Sequence, residues 1–320
     1  MTQHDGTPPG GGPWHWGAKE LWARLEPRLP GLSVEVLART ASTNTVLLER
    51  ARIAPNARNS GFDNLIDDAS RVGRRQADMQ PCLLVAEHQT GGRGRGGRGW
   101  RSARSASLTF SLALPLAPSD WSGLSLAVGI ALADALQPEP LASQPRIALK
   151  WPNDLWLTPP ADQGPPPDGS LGRKLGGILI ETLLSGRQRL AVIGVGINIR
   201  SLPEPLPADL NGRMASLCEL DAGATAPATL ARIALPLVEA LQTFERDGFA
   251  VFAGAFARRD LLAGHAVRTT DAQAPEGTAR GVDARGALRV EAADGLHTIT
   301  SGEVSVRPAA SPDTIPTPLP

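Results

Sequence analysis

The residues Ser107 to Leu114, SLTFSLAL, alternate apolar and polar positions and put Leu108, Phe110, Leu112 and Leu114 on one face, which predicts a strand. Leu32 to Ala38 (LSVEVLA) alternates in the same way, and Cys82 to Glu87 (CLLVAE) is a compact apolar run that reads as a buried strand. RIALKW, LGGILIETLL and RLAVIGVGINI predict three more strands. Helical spacing appears in KELWARLEPRL, in VLLERARI after the cap cluster Ser42-Thr43-Asn44, and in Ser122 to Gln137, which Pro138 closes. A longer stripe, Leu230, Ile233, Leu237, Leu241 and Phe244, predicts a helix kinked at Pro236. From Leu262 the texture changes to HAVRTT, GTARGVD, ALRVEA, HTITSG and EVSVRP, joined by DARG and ADG turns, which suggests a barrel-like module of about 45 residues.

Between these elements lie residues 1–17, Gly/Pro-rich and expected to be disordered, a polar insertion at 54–80, the loop TPPADQGPPPDGSLG, and a Pro-rich tail. No internal repeat is present. The chain has 320 residues, 42% of them apolar, enough for a sizeable core in one large domain plus a small one. Lys+Arg and Asp+Glu both total 32, so overall charge argues against a general nucleic-acid or anionic-membrane binder. The start MTQHDGTPPGGGPW lacks the features of a signal peptide, and no run of 18 apolar residues spans a membrane. The two cysteines, Cys82 and Cys218, form no CxxC or Cys/His cluster, and none of the five histidines has metal-ligand spacing. These features predict a cytoplasmic protein with core thiols.

Lysine is scarce. Only Lys19, Lys150 and Lys174 occur against 29 arginines, so a compact ammonium at Lys150 or Lys174 becomes a candidate for chemistry that a planar guanidinium cannot replace. The stretch TGGRGRGGRGW, Thr90 to Trp100, holds six glycines and three arginines between two predicted strands. Its glycines let backbone N–H groups approach an anion, its arginines add forked donors, and Trp100 offers a flat apolar face. It is not the GxxxxGK[ST] loop of P-loop enzymes. An RGG-type nucleic-acid-binding segment is the alternative, although such segments are usually long and repeated.

GRGRGGRGW at 92–100, KWPNDLW at 150–156, RKLGGILIE at 173–181 and GVGINI at 194–199, in this order, resemble the successive motifs of bacterial biotin protein ligases. STN at 42–44 and Gln89 match as well, and GVDARGAL and SGEVSVR resemble that family's small C-terminal domain. The resemblance runs over residues 33–308, with an enlarged loop at 158–172, and departs from the family at Gly96, where an arginine is frequent. It implies an α+β fold: a mixed-sheet catalytic domain of the biotin/lipoate ligase, class II synthetase-like type at 31–260 and a small C-terminal SH3-like β-barrel at 261–308. A largely disordered arm at 1–30 and a tail at 309–320 flank them. The short segment before residue 31 implies a monofunctional ligase without the winged-helix DNA-binding domain of the family's repressors.

The implied reaction forms biotinyl-5′-AMP from biotin and ATP, with Mg²⁺, and then transfers biotin to a lysine of a biotin carboxyl carrier protein, such as that of acetyl-CoA carboxylase. The resemblance further implies no DNA or membrane partner, and a monomer or weak homodimer. Lys174, Arg95 and Asp154 carry the implied catalysis. Ser42, Thr43, Asn44, Gln89, Arg93, Gly94, Arg95 and Lys174 would bind biotin, and Arg98, Trp100, Asn153 and Asn198 the nucleotide. Asn153 and Asn198 would also be the residues near Mg²⁺. Plainer roles stand beside these: helix capping for Ser42-Thr43-Asn44, core packing for Trp100, an Asx-turn for Asn153 and Asp154, and tight strand packing for Gly176, Gly177, Gly194 and Gly196. A lipoate or octanoyl ligase shares the implied fold, and a catalytically inactive biotin-binding scaffold is a third reading.

Overall fold

The computed structural model describes residues 15–52, 70–72, 79–163, 170–185, 188–203, 212–300 and 307–308. Residues 1–14 of the predicted N-terminal disorder, the Pro-rich tail and most of the 54–80 insertion lie outside the described residues, whereas residues 15–17, also expected to be disordered, lie inside them.

The chain opens with helix α1 (Ala18–Leu25), whose Leu21 and Leu25 are buried in the main core. Trp16, just ahead of it, is also buried and donates Nε1–H to the Glu87 carboxylate at 3.2 Å. The second half of the 1–30 arm is therefore built into the fold. Strand β1 (Ser33–Leu37) and helix α2 (Thr43–Arg52) follow. After them come β2 (Ser70–Val72), β3 (Cys82–Ala86), the short β4 (Gly92–Arg93) and β5 (Gly99–Trp100), and β6 (Ser107–Pro115). Helix α3 (Leu124–Leu136) leads to the hairpin β7 (Arg146–Lys150) and β8 (Asp154–Thr158), then to the long hairpin β9 (Arg173–Ser185) and β10 (Gln188–Asn198). Helix α4 (Ala226–Asp247) runs through Pro236 without a break, and α5 (Ala253–Arg259) ends this part of the chain. Pro236 lacks an N–H to bond back to the carbonyl of Arg232, which lies on the exposed side of the helix.

Among the described residues the main sheet has eight strands in the order β2-β1-β3-β6-β10-β9-β8-β7. Only β1 and β3 pair in parallel; the remaining neighbours are antiparallel. The apolar side chains of β6 explain the layering. Leu108, Phe110, Leu112 and Leu114 join the large cluster with α1, α3 and α4, while Ala113 faces a smaller cluster with Leu47, Leu48 and Ala51 of α2. The polar positions of the same strand are equally buried: Ser107, Thr109 and Ser111 expose 2% or less. Alternation here separates two buried faces, and the polar one lies under the start of α2.

Five further strands form the C-terminal sheet: β11 (Ala266–Arg268), β12 (Glu276–Val282), β13 (Leu288–Ala292), β14 (Gly295–Ile299) and β15 (Arg307–Pro308). The expectation of an SH3-like barrel is overturned. The order β14-β13-β12-β11-β15 is an open ladder, and among the described residues β14 and β15 do not pair to close it. Two features account for this. The strands on the β15 side are two and three residues long, too short to curl round to the opposite edge. The sheet's apolar residues Val267, Ala279, Leu288, Val290 and Ile299 are also buried in the same cluster as the catalytic core, so the larger domain covers the face that a barrel would have to cover itself. The junction is specific. Trp151 donates Nε1–H to the Gly286 carbonyl at 3.0 Å, and Arg285 pairs with Asp120 at 2.6 Å, holding the Asp120 carboxyl down at about 2.

Candidate active site

A cleft of about 1560 Å³ opens over β6, β10 and β9, between the start of α2, the β4–β5 hairpin and the β8–β9 edge. Its inner end is a neutral hydrogen-bonding network. Ser42 caps α2 by accepting from the Thr45 N–H at 3.4 Å. Gln89 accepts the Thr43 N–H on Oε1 at 2.7 Å, satisfying one of the donors that a helix start leaves unpaired. Asn44 donates Nδ2 hydrogens to the Leu179 carbonyl at 3.2 Å and to Glu181 at 3.0 Å. Ser42, Thr43 and Asn44 are each 3% exposed and Gln89 9%. Capping and a place on the cleft wall coexist at Ser42, while the Asn44 amide is spent inside the protein.

Glycines on β10 make room for this arrangement. A Cβ on Gly194 would lie 2.3 Å from Asn44 Oδ1, and one on Gly196 would lie 2.4 Å from the Trp100 ring. Both glycines therefore serve a close side-chain approach. Gly176, whose Cβ would sit 2.7 Å from the Gly196 carbonyl, serves tight strand packing.

The middle of the cleft belongs to Lys174 and Asp154. Lys174 Nζ donates to Asp154 Oδ1 at 2.7 Å and stands 5.9 Å from the Trp100 ring. Asp154 starts β8, directly after the KWPN turn, and Lys174 lies at the head of β9 beside a register shift in the β8–β9 ladder. The Lys174 backbone is tied on both sides, its N–H to the Arg213 carbonyl at 2.9 Å and its carbonyl to the Ala215 N–H at 2.8 Å. Asn198 reinforces this clamp, donating Nδ2 to the carbonyls of Lys174 at 3.3 Å and Ala215 at 3.0 Å. Its buried Oδ1 has no partner among the described residues. Asn153 likewise donates Nδ2 to the Ile178 carbonyl at 2.7 Å. Asn198 thus spends two amide hydrogens on the backbone and Asn153 one.

The outer rim is cationic. β4 and β5 pair as a small hairpin around a 3-10 turn, Arg95–Gly97, with Gly96 and Gly97 at φ +64° and +73°. A left-handed residue at 96 favours glycine, which accounts for the glycine at this position in place of an arginine. Arg98 donates Nε to the Arg95 carbonyl at 3.1 Å, and Gly94 N–H to the Arg98 carbonyl at 2.6 Å, so the loop is bonded mainly to itself. Arg93, half exposed, is anchored to Glu181 at 2.9 Å. The Trp100 Nε1, buried under the loop, has no partner among the described residues. Beyond it Lys150 Nζ stands 4.5 Å over the Trp156 ring.

Every residue assigned to the site from sequence lines this one cleft. Two that contribute were not assigned. Glu181 closes the RKLGGILIE stretch and ties Asn44 to Arg93. Ser111 lies beneath Thr43 and Asn44. Glu181 carries a readable signal, a lone carboxylate within an apolar strand, whereas Ser111 is one hydroxyl in an alternating strand.

A neutral polar inner end, a central lysine–carboxylate pair and an arginine rim suit a ligand with an uncharged polar head and an acid at its other end, which is the layout of a carboxylate-activating ligase. Residues 74–198 match the Biotin/lipoate A/B protein ligase family, and residues 264–307 match the Biotin protein ligase C terminal domain. The chain is 31% identical over 293 residues to the Biotin--[acetyl-CoA-carboxylase] ligase of Mycobacterium tuberculosis, covering 90% of this chain and 91% of that protein. It is also 31% identical over 298 residues to the Bifunctional ligase/repressor BirA of Escherichia coli, covering 91% and 78%. The biotin protein ligase from Aquifex aeolicus in complex with biotin and ATP shares the fold, with a TM-score of 0.62 at 24% identity over 86% of this chain and 99% of that one. The chain belongs to the biotin protein ligase family.

Proposed function

We propose that this protein is an ATP-dependent biotin protein ligase whose acceptor is the biotin carboxyl carrier protein of acetyl-CoA carboxylase or a related carboxylase. A carboxylate oxygen of biotin attacks the α-phosphorus of ATP and displaces pyrophosphate, giving biotinyl-5′-AMP. The acceptor lysine amine then attacks the acyl carbon, forming the amide and releasing AMP. The observation that carries this reading is the Lys174–Asp154 pair, held by backbone ties between a buried neutral pocket and an arginine rim.

The cyclic urea of biotin suits the inner end, where Ser42, Thr43 and Gln89 line a buried wall. Its carboxylate would then lie toward Lys174, Arg93, Gly94 and Arg95. Lys174 supplies a compact positive charge where the carboxylate meets the α-phosphate, and Asp154 fixes that ammonium in place. Both steps concentrate negative charge at the α-phosphate, so cations held there lower both barriers. Arg98 suits the remaining phosphates and Trp100 the adenine face.

Among the described residues no group of three His, Cys, Asp or Glu forms a metal cage. The oxygens of Asn153 and Asn198, whose Nδ2 groups are turned to backbone carbonyls, fit Mg²⁺ held chiefly by the nucleotide phosphates. When bound, Mg²⁺ would neutralise phosphate charge. The residues described ahead of β1 hold one helix packed into the catalytic core, which favours a ligase role for that segment over a DNA-binding one.

The test is incubation with MgATP, biotin and a carrier domain, read as a biotin-sized mass increase on the carrier. Lipoate and octanoate as competing acids measure acid specificity in the same assay. Modification by either in preference to biotin, or by none of the three, would overturn the reading.

A further inference from the structure

Ser111, at the centre of β6, is fully buried and does not line the cleft. Its hydroxyl lies 2.6 Å from Thr43 Oγ1 and 2.6 Å from Asn44 Oδ1. We propose that Ser111 is a positioning residue that fixes the Thr43 hydroxyl as a hydrogen-bond acceptor, and so sets the site's selectivity for a ring N–H on its substrate.

Hydrogen counting establishes the polarity. Asn44 must present Nδ2 to the Leu179 carbonyl and the Glu181 carboxylate, since the reverse orientation would face acceptor with acceptor twice. Its Oδ1 therefore points at Ser111. A serine hydroxyl carries one hydrogen, and it goes to Oδ1, which has none. The contact between Ser111 and Thr43 then needs the Thr43 hydrogen. Gln89 Oε1 competes for that hydrogen from 3.2 Å, against 2.6 Å for Ser111, and already holds the Thr43 N–H at 2.7 Å. With its hydrogen committed to Ser111, Thr43 Oγ1 offers lone pairs to the cleft. Gln89, its oxygen spent on Thr43, offers Nε2 as a donor. One acceptor beside one donor complements the N–H and C=O of a cyclic urea, and it leaves the acceptor unpaired when the ligand lacks the N–H.

The proposal rests on the biotin reading above. Its test compares kcat/KM for adenylate formation with biotin and with its two cyclic carbamate analogues, in which one or the other ureido N–H is replaced by oxygen. In the unaltered protein one carbamate should lose about 100-fold, the upper end of the cost of leaving one buried acceptor unpaired. In Ser111→Ala the Thr43 hydrogen loses its 2.6 Å acceptor and is divided between the longer 3.2 Å contact to Gln89 Oε1 and the cleft, so the loss for that carbamate should shrink by at least about threefold. KM for biotin should rise about tenfold and KM for ATP stay unchanged. Ser111→Cys, of similar shape with a weaker donor, should fall between the two, and it carries the comparison if the alanine variant does not fold. An unchanged carbamate penalty in either variant, with or without a raised KM, would reduce Ser111 to a packing residue. If the unaltered protein activates no biotin, the functional reading itself fails and the proposal falls with it.

Discussion

The two ends of the cleft are built on opposite principles. At the inner end, Thr43 and Asn44 are 3% exposed and each side chain bonds to a neighbour anchored in β6 or β9. At the rim, the Arg93 side chain is 49% exposed, and the β4–β5 hairpin is held mostly by bonds within itself. A neutral head group can be recognised only by donors and acceptors fixed beforehand, because a misplaced buried polar group costs about 1–3 kcal/mol. An anion is attracted from a distance and tolerates cations on a pliable hairpin. On the proposed function, specificity would sit in the sheet and charge neutralisation in the loop, with Lys174 at their meeting point.

The largest test of that division is Lys174→Arg. A guanidinium spreads its charge over a planar fork and does not reproduce the compact ammonium beside Asp154, so pyrophosphate release from ATP and biotin should fall by about 10²–10³-fold with an unchanged melting temperature. A near-normal rate would move Lys174 to the tolerant rim. A pair of glycine substitutions sharpens the contrast. Gly194→Ala drives a methyl to 2.3 Å from Asn44 Oδ1, whereas a Cβ on Gly99 in the hairpin meets nothing within 4 Å. Gly194→Ala should lower kcat/KM for biotin by at least about tenfold, and Gly99→Ala should leave it within about twofold. Equal effects would dissolve the distinction.

Hydrogen exchange gives a smaller signal. Ordering a glycine-rich loop costs about 1–2 kcal/mol per residue, so biotinyl-AMP should raise protection across 91–100 while the amides of β6 stay as protected as before. A rise in β6 and none in the hairpin would reverse the comparison. The smallest effect lies away from both ends. Asp260 has a buried Oδ2 without a partner among the described residues, and burial pushes its carboxyl above the usual value. The charged form is thus disfavoured in the folded protein, and stability is lost as pH rises from the unfolded carboxyl value through the raised folded one. Asp260→Asn should raise the melting temperature by about 2–4 °C at pH 7, shrinking toward nothing near pH 3, with activity at both ends unaltered.

Much of this is legible in the chain itself. Six of the eight strands of the main sheet, all but β2 and β8, follow from local periodicity, while the motifs that converge on the cleft were legible through their resemblance to a family. Ser111 was hidden because alternation in SLTFSLAL marks two faces of a strand without saying that both are buried. The strand β8 was hidden inside KWPNDLW, whose turn chemistry dominates its signal. Closure of the C-terminal sheet was misjudged for a different reason. Short strands and tight turns are local, whereas pairing of first and last strands is long-range, and here the catalytic core already covers the sheet's apolar face.

The Trp151–Gly286 junction also bears on how the chain is made. Trp151 is 2% exposed, and the turn that seals it, packed against Gly123 and Leu126, lies far downstream. At roughly 5–20 residues per second, a ribosome that has just finished Asn198 needs about 5–20 s more to reach Ile299. Throughout that interval the nascent sheet carries an uncapped tryptophan. A prematurely terminated product keeps it uncapped, so the last strands act as a seal of completeness that distinguishes finished chains from broken ones to any chaperone or protease that reads exposed apolar surface.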